Sequence, residues 1–147
     1  MKMLTILAFA IFFCLPLRAW AADNQGGRGT SGPAQVRMVF EGGEVVVEMY
    51  DTPVAKDFIS LLPLTAPFED YARTEKITYL SRKLKTEGVP AGLPGDFAYY
   101  APWGNLAVFY KGNGSGSGLH VMGRIVSGKE TLAGMGKNFS GRLEVVD

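Results

Sequence analysis

The chain has one cysteine, Cys14, and one histidine, His120. Cys14 falls within the apolar stretch Leu4 to Leu17, so everything after that stretch is without a thiol. Disulfides, cysteine metal sites and thiol catalysis are excluded from the remainder, which must rely on core packing for stability. With a single histidine there is no clustered imidazole set for a metal. The absence of a Gly-x-Ser-x-Gly elbow also leaves Ser81, Ser115, Ser117 and Ser140 without the machinery of a hydrolase triad. There is no internal repeat and no heptad pattern. Charge of one sign is equally scarce: 15 basic residues stand against 14 acidic ones, with no basic stripe to meet phosphates. Nucleic acid is therefore a poor partner for this chain.

Residues 1–21 have the organisation of a cleavable secretory signal. Lys2 supplies the positive start, Leu4 to Leu17 the apolar stretch, and Ala19-Trp20-Ala21 the small-x-small cleavage site. The apolar stretch is shorter than the about 20 residues of a membrane span. Ile11-Phe12-Phe13 before Cys14 are too large for a lipoprotein box. The expectation is an exported protein, periplasmic or secreted, with no stable membrane anchor after cleavage. Loss of Lys2 and Arg18 lowers the basic count from 15 to 13, against 14 acidic residues. Residues 22–34, rich in Gly and small polar side chains, form an expected flexible leader. Residues 35–147 then suffice for one domain with one core.

Alternation in this domain predicts short strands. Val36, Met38 and Phe40 alternate with Arg37, Val39 and Glu41, and Val45, Val47 and Met49 with Glu44, Val46 and Glu48; Gly42-Gly43 between them predicts a hairpin turn. Thr52-Pro53 opens a helix, with Thr52 as cap and Pro53 at the first helical position; Val54, Phe58, Leu61 and Leu62 share one face, and Pro63 stops it near Leu62. Thr65–Tyr71 and Glu75–Leu80 read as strands. Thr86–Pro94 is a loop, and Lys111–Gly118 a flexible connection. In the strand Leu119–Val126, residues Leu119, Val121, Gly123 and Ile125 fall on one face, which leaves His120 opposite and exposed. Ser127 to Glu130 fits a capping box for a second helix running through Leu132. A last strand covers Arg142–Val146, with Leu143 and Val145 inward. The sum is a mainly β fold: a closed barrel of about eight strands with two short capping helices.

Gly95 to Gly112, GDFAYYAPWGNLAVFYKG, is the most distinctive segment. Two strands apolar on both faces are joined at Pro102-Trp103-Gly104. Such strands belong to a closed barrel or a sheet covered on both sides, and aromatic rings with polar tips are suited to core packing or to a ligand groove. Trp103 at the turn either folds under the barrel rim, the favoured reading, or is presented to a partner. Arg82 and Arg73 flank the strand that holds Ile77; Arg82 is the better groove candidate, with Tyr79 beside it for stacking. Glu69, Asp70 and Glu75 are close enough in sequence for paired acid and base work, but a polar sheet edge accounts for them more simply.

Three blocks carry a family resemblance: Asp51 to Leu84, GDFAYYAPWGNLAVFY from Gly95 to Tyr110, and MGRIVSGKETLAGM from Met122 to Met135. They resemble the cyclophilin-like fold proteins, a mostly bacterial group of small domains related to cyclophilins by structure. The resemblance covers nearly all of Val36 to Asp147 and implies an eight-stranded barrel with a helix at either end. The likeness to true cyclophilins, which are peptidyl-prolyl isomerases, is confined to TPVAKDFISLL and GRIVSGKETL. Their Phe-His-Arg run and their Gln-Gly-Gly-Asp stretch are missing, so no catalytic residue carries over.

The leading expectation is an exported domain that binds an extended peptide or a small apolar ligand in a groove on the barrel, without strong catalysis. The groove candidates are Tyr79, Arg82, Tyr100, Trp103 and Phe109, with no metal and no cofactor. One alternative is a divergent prolyl isomerase that assists the folding of exported proteins. Another is an assembly module that pairs through the Trp103 rim.

Overall fold

The computed structural model describes residues 32–88, 92–136 and 138–147. The expected signal at 1–21 and all but the end of the expected leader lie outside them. The elements are β1 (Gln35–Phe40), β2 (Gly43–Met49), α1 (Pro53–Ile59), β3 (Leu64–Tyr71), β4 (Glu75–Tyr79), β5 (Phe97–Tyr100), β6 (Asn105–Phe109), β7 (Leu119–Ser127), α2 (Lys129–Gly134) and β8 (Asn138–Val146). The strands close into an antiparallel barrel in the order β1-β2-β7-β5-β6-β4-β3-β8, with β8 returning to β1. This is the mainly β barrel with two short helices that the periodicity predicts.

Alternation sets what lies inside. Val36 and Met38 on β1, Val45 and Val47 on β2, Phe68 on β3, Leu106 and Val108 on β6, and Leu143 on β8 are buried together. Val54, Ala55 and Phe58 of α1 and Leu132 of α2 join the same cluster. Burying each large apolar side chain contributes about 1.5–3 kcal/mol, so a closed barrel of this kind can do without a disulfide.

Local chemistry explains the helix starts only in part. Thr52 caps α1 as expected, its Oγ1 accepting from the Ala55 N–H at 3.4 Å. The helix ends at Ile59, short of Leu62, because the Leu61 and Leu62 amides turn back to Phe58 and Ile59 before Pro63. The expected capping box on α2 is absent. Ser127 is committed to β7, where it pairs with Val46, and the cap is Gly128 in the left-handed conformation, with no side-chain hydrogen bond. The first hairpin turns on Glu41-Gly42 rather than Gly42-Gly43, since Phe40 pairs directly with Gly43. Gly43 serves another purpose: a Cβ there would stand 2.6 Å from Thr131 Cγ2 of α2.

Two registers differ from the sequence expectation. Phe97 pairs with Gly123 while Ala98 pairs with Val121, so Met122 is an extra residue, a β-bulge. The bulge splits the face expected to be continuous. Ile125 packs against the core, whereas Leu119 and Val121 turn to the outside of the wall, and His120, opposite the inward-facing Tyr99, is half-buried instead of exposed. β8 begins at Asn138, earlier than expected, and its Leu143 is buried while Val145 is exposed near the strand's end.

Arg82 has a structural task. Its guanidinium grips Asp57 of α1 through two hydrogen bonds of 2.8 Å, and also reaches Ser60 Oγ and the Lys83 carbonyl. The Lys85 N–H adds a third bond to Asp57, also 2.8 Å. Residues 82–85 are thus tied to the helix. The Arg82 bonds, followed by the Lys85 amide, hold the Asp57 carboxyl down at about 2. A carboxyl depressed on folding stabilises the protein above its unfolded pKa of about 4 and loses that contribution as pH falls through the folded value. Arg82→Ala should therefore lower the urea midpoint at pH 6, and its gap from the native protein should close on acidification to about pH 2. A gap of constant size across that range would contradict the assignment.

Candidate functional site

The outer wall formed by β4, β6, β5 and β7 carries a cleft of about 260 Å³. It arises because β5 and β6 are largely apolar on both faces. Ala107, on the outer face of β6, is as buried as the inward Leu106 and Val108. The loop from Lys111 to Gly118 and the turn at Trp103 overhang this wall. The loop is anchored, not free: the Gly114 amide donates to the Gly95 carbonyl at 3.0 Å, and the Gly118 carbonyl accepts from Ala101 at 2.9 Å. Gly114 is buried, and a Cβ there would meet Leu119 Cδ2 at 2.6 Å and Phe109 Cε2 at 2.8 Å, so glycine allows the loop to close down.

The structure gathers Tyr100, Trp103 and Phe109 around this cleft and leaves Tyr79 and Arg82 out of it. Tyr79 points from the end of β4 toward separate shallow hollows beside Pro67, and it is well exposed. Arg82 is held by Asp57, as described. In their place stand two residues that the sequence reading did not assign to the groove, Tyr71 and Glu75. They face each other across the base of the β3–β4 hairpin, whose turn has Ala72 and Arg73 both at positive φ, 52° and 58°. This is the backbone of a tight hairpin turn made without glycine or asparagine. Each such residue costs roughly 1–2 kcal/mol, and strain of this kind tends to collect beside functional surfaces.

Trp103 does not fold under the rim. It is 49% exposed and stands edge-on between Tyr71, at 5.6 Å and 85°, and Tyr100, at 5.5 Å and 80°. The three rings form one continuous aromatic side of the cleft. Below them lies Asn105, 2% exposed; its Nδ2 donates to the Leu106 carbonyl at 3.2 Å, and its Oδ1 has no partner among the described residues. At the far end, Glu75 is half-buried, and that burial pushes its carboxyl above the ordinary range.

The three carboxylates of this region are not a sheet edge, because the barrel closes through β3 and β4. Asp70 turns toward the buried Lys76 and accepts from it at 2.8 Å and from Tyr110 Oη at 2.7 Å. The Lys76 ammonium, followed by the Tyr110 hydroxyl, holds the Asp70 carboxyl below its ordinary value. Burial, and then the Asp70 carboxylate, pushes the Tyr110 hydroxyl up to about 12. Glu69 is exposed on the outside of β3. Among the described residues, no group of three or more His, Cys, Asp or Glu side chains is placed to hold a metal ion. The cleft offers aromatic faces, hydrogen-bond acceptors and serine hydroxyls. Among the described residues, no arginine, lysine or histidine lines it.

Because Trp103 is half-exposed, Trp103→Ala should cost about 1–2 kcal/mol in urea unfolding, below the 3–5 kcal/mol usual for a fully buried ring. A loss within the higher range would return Trp103 to the core.

A family model described as the cyclophilin-like family matches residues 38–145. Among solved structures, the solution structure of the hypothetical protein AF2241 from Archaeoglobus fulgidus is similar, with a TM-score of 0.59 and 23% identity. That similarity covers 79% of this chain and 98% of the other, and at this identity it speaks for the fold alone. No curated protein matches. The family match spans most of the chain and all eight strands of the barrel in whole or part. The chain belongs to the cyclophilin-like family.

Proposed function

We propose that this protein is an exported cyclophilin-like binding domain whose outer-wall cleft takes one compact group, carried by a small ligand or by a side chain of an extended peptide, without catalysing prolyl isomerisation. The observation that carries the reading is the cleft itself. Tyr71, Trp103 and Tyr100 keep partly exposed faces on one hollow, and Asn105 sits beneath them with an unused acceptor. Partly exposed aromatic walls around a few unsatisfied polar groups are characteristic of ligand sites. Export rests on Lys2, the stretch Leu4 to Leu17 and Ala19-Trp20-Ala21.

Isomerase chemistry is disfavoured by what surrounds the cleft. Rotation about an X-Pro bond has a barrier of about 18–20 kcal/mol, and lowering it calls for a donor placed on the twisting amide. Among the described residues no guanidinium or ammonium lines the hollow, and the groove candidate Arg82 is already bonded to Asp57. Protein recovered from its native envelope should begin at Ala22 and should accelerate the isomerisation of an Ala-Pro or Leu-Pro peptide no more than background in a protease-coupled assay. Acceleration at the level of an ordinary cyclophilin, abolished by Trp103→Ala, would establish the divergent isomerase instead. An intact Met1 start in most molecules would overturn export.

A further inference from the structure

Glu75 is an exception among the acidic residues of this protein. Every other buried or half-buried carboxylate of the described residues has a cationic partner: Glu48 with Arg124, Asp57 with Arg82, Asp70 with Lys76, Asp96 with Lys129, and Glu144 with Arg37 and Arg142. Glu75 has neither an ion-pair nor a hydrogen-bond partner among the described residues. It faces a cleft that no cationic side chain among the described residues lines. Taking a carboxylate out of water is costly unless it is paired, so a half-buried carboxylate without a partner marks the place where a cation would gain most.

The other end of the cleft is lined by Asn105, whose buried Oδ1 has no hydrogen-bond partner among the described residues. Its placement relative to Glu75 follows from the register. Glu75 pairs with Phe109, and Asn105 lies four residues back along β6, which at about 3.3 Å per residue sets the two positions roughly 13 Å apart. A ligand that reaches both positions is an extended one, with a cation at one end and a hydrogen-bond donor at the other. The aromatic side formed by Tyr71, Trp103 and Tyr100 would lie along that span, where ring faces attract a positive charge and cover an aliphatic chain.

We propose that the cleft recognises an extended ligand with an ammonium group at one end and an N–H donor at the other: the ammonium on Glu75, the donor on Asn105, and the aliphatic chain against Trp103. This rests on the reading of the cleft as a ligand site. Two sources share the chemistry. One is a lysine residue of a peptide, from Nζ to its main-chain N–H; the other is a free 1,5-diamine.

The test is a 1H–15N NMR titration of the full chain with Nα-acetyl-lysine methylamide, 1,5-diaminopentane and the neutral Nα-acetyl-norleucine methylamide. The expected result is a shift of the Trp103 indole and Asn105 side-chain amide signals, with the lysine compound bound at least about tenfold more tightly than the norleucine compound. Glu75→Gln should abolish that preference. The lysine–norleucine comparison is made on the unaltered chain, so it decides the question even if the variant does not fold. Tighter binding of the diamine than of the lysine compound would support the same chemistry with a free amine as its source. Equal or tighter binding of the norleucine compound would overturn the charge assignment and leave the cleft a ligand site. Absence of any shift with all three would overturn both.

Discussion

The Lys76 ammonium lies inside the barrel, 1% exposed, and the geometry of the cleft depends on how it is held. Taking an ammonium from water into a protein interior costs several kcal/mol, which only complete pairing offsets. Here all three of its N–H donors have acceptors: Asp70 Oδ1 at 2.8 Å and the carbonyls of Met135 and Gly136 at 2.8 and 2.9 Å. The Tyr110 ring, 5.1 Å away, adds a cation–π contact and anchors the same carboxylate through its hydroxyl. One side chain thereby joins β3, β4, the end of β6 and the connection from α2 to β8. Because strand side chains alternate, a lysine fixed inward fixes Glu75 outward. The hairpin that carries Tyr71 and Glu75 is held against the strain of Ala72 and Arg73 by this interior knot.

The cleft has a second origin, in the β-bulge at Met122. With regular pairing, Leu119 and Val121 would continue inward with Ile125, and the outer wall would lack apolar cover on its β7 side. The extra residue turns them outward, where Leu119 packs beneath the Gly114 loop beside Phe109. A wall apolar on both faces cannot be left bare to water, and the overhanging loop is what covers it. The cleft is the space between that cover and the Trp103 turn. The cleft and the stability of the barrel are thus made from the same strands.

The features legible in the sequence are those encoded locally. Thr52-Pro53 marks a helix start because the cap and the first helical position are adjacent, and the aromatic hairpin declares itself by two short apolar runs that meet at Pro102-Trp103-Gly104. Tyr100, Trp103 and Phe109 come together because one hairpin carries all three. The remainder depends on partners far along the chain. Arg82 reads as a free groove arginine until Asp57, 25 residues earlier, is folded against it. Tyr71 and Glu75 enter the cleft only because β4 lies beside β6, a neighbour relation that sequence order does not show. Ala72-Arg73 carries no turn signal. Lys76 looks like a surface residue, since lysines are rarely buried, and the bulge at Met122 has no marker to distinguish it from a regular strand.

The most direct test of this account is Lys76→Met, followed by urea unfolding and by the NMR signals of Tyr71 and Trp103. Methionine fills much of the same space, but the change leaves Asp70 and two carbonyls without the ammonium. The account expects a loss of about 3–5 kcal/mol, the usual cost of removing one partner from a buried ion pair, together with displaced Tyr71 and Trp103 signals. A loss below about 1 kcal/mol with both signals unmoved would contradict it, and would mean that the cleft is held by its strands alone.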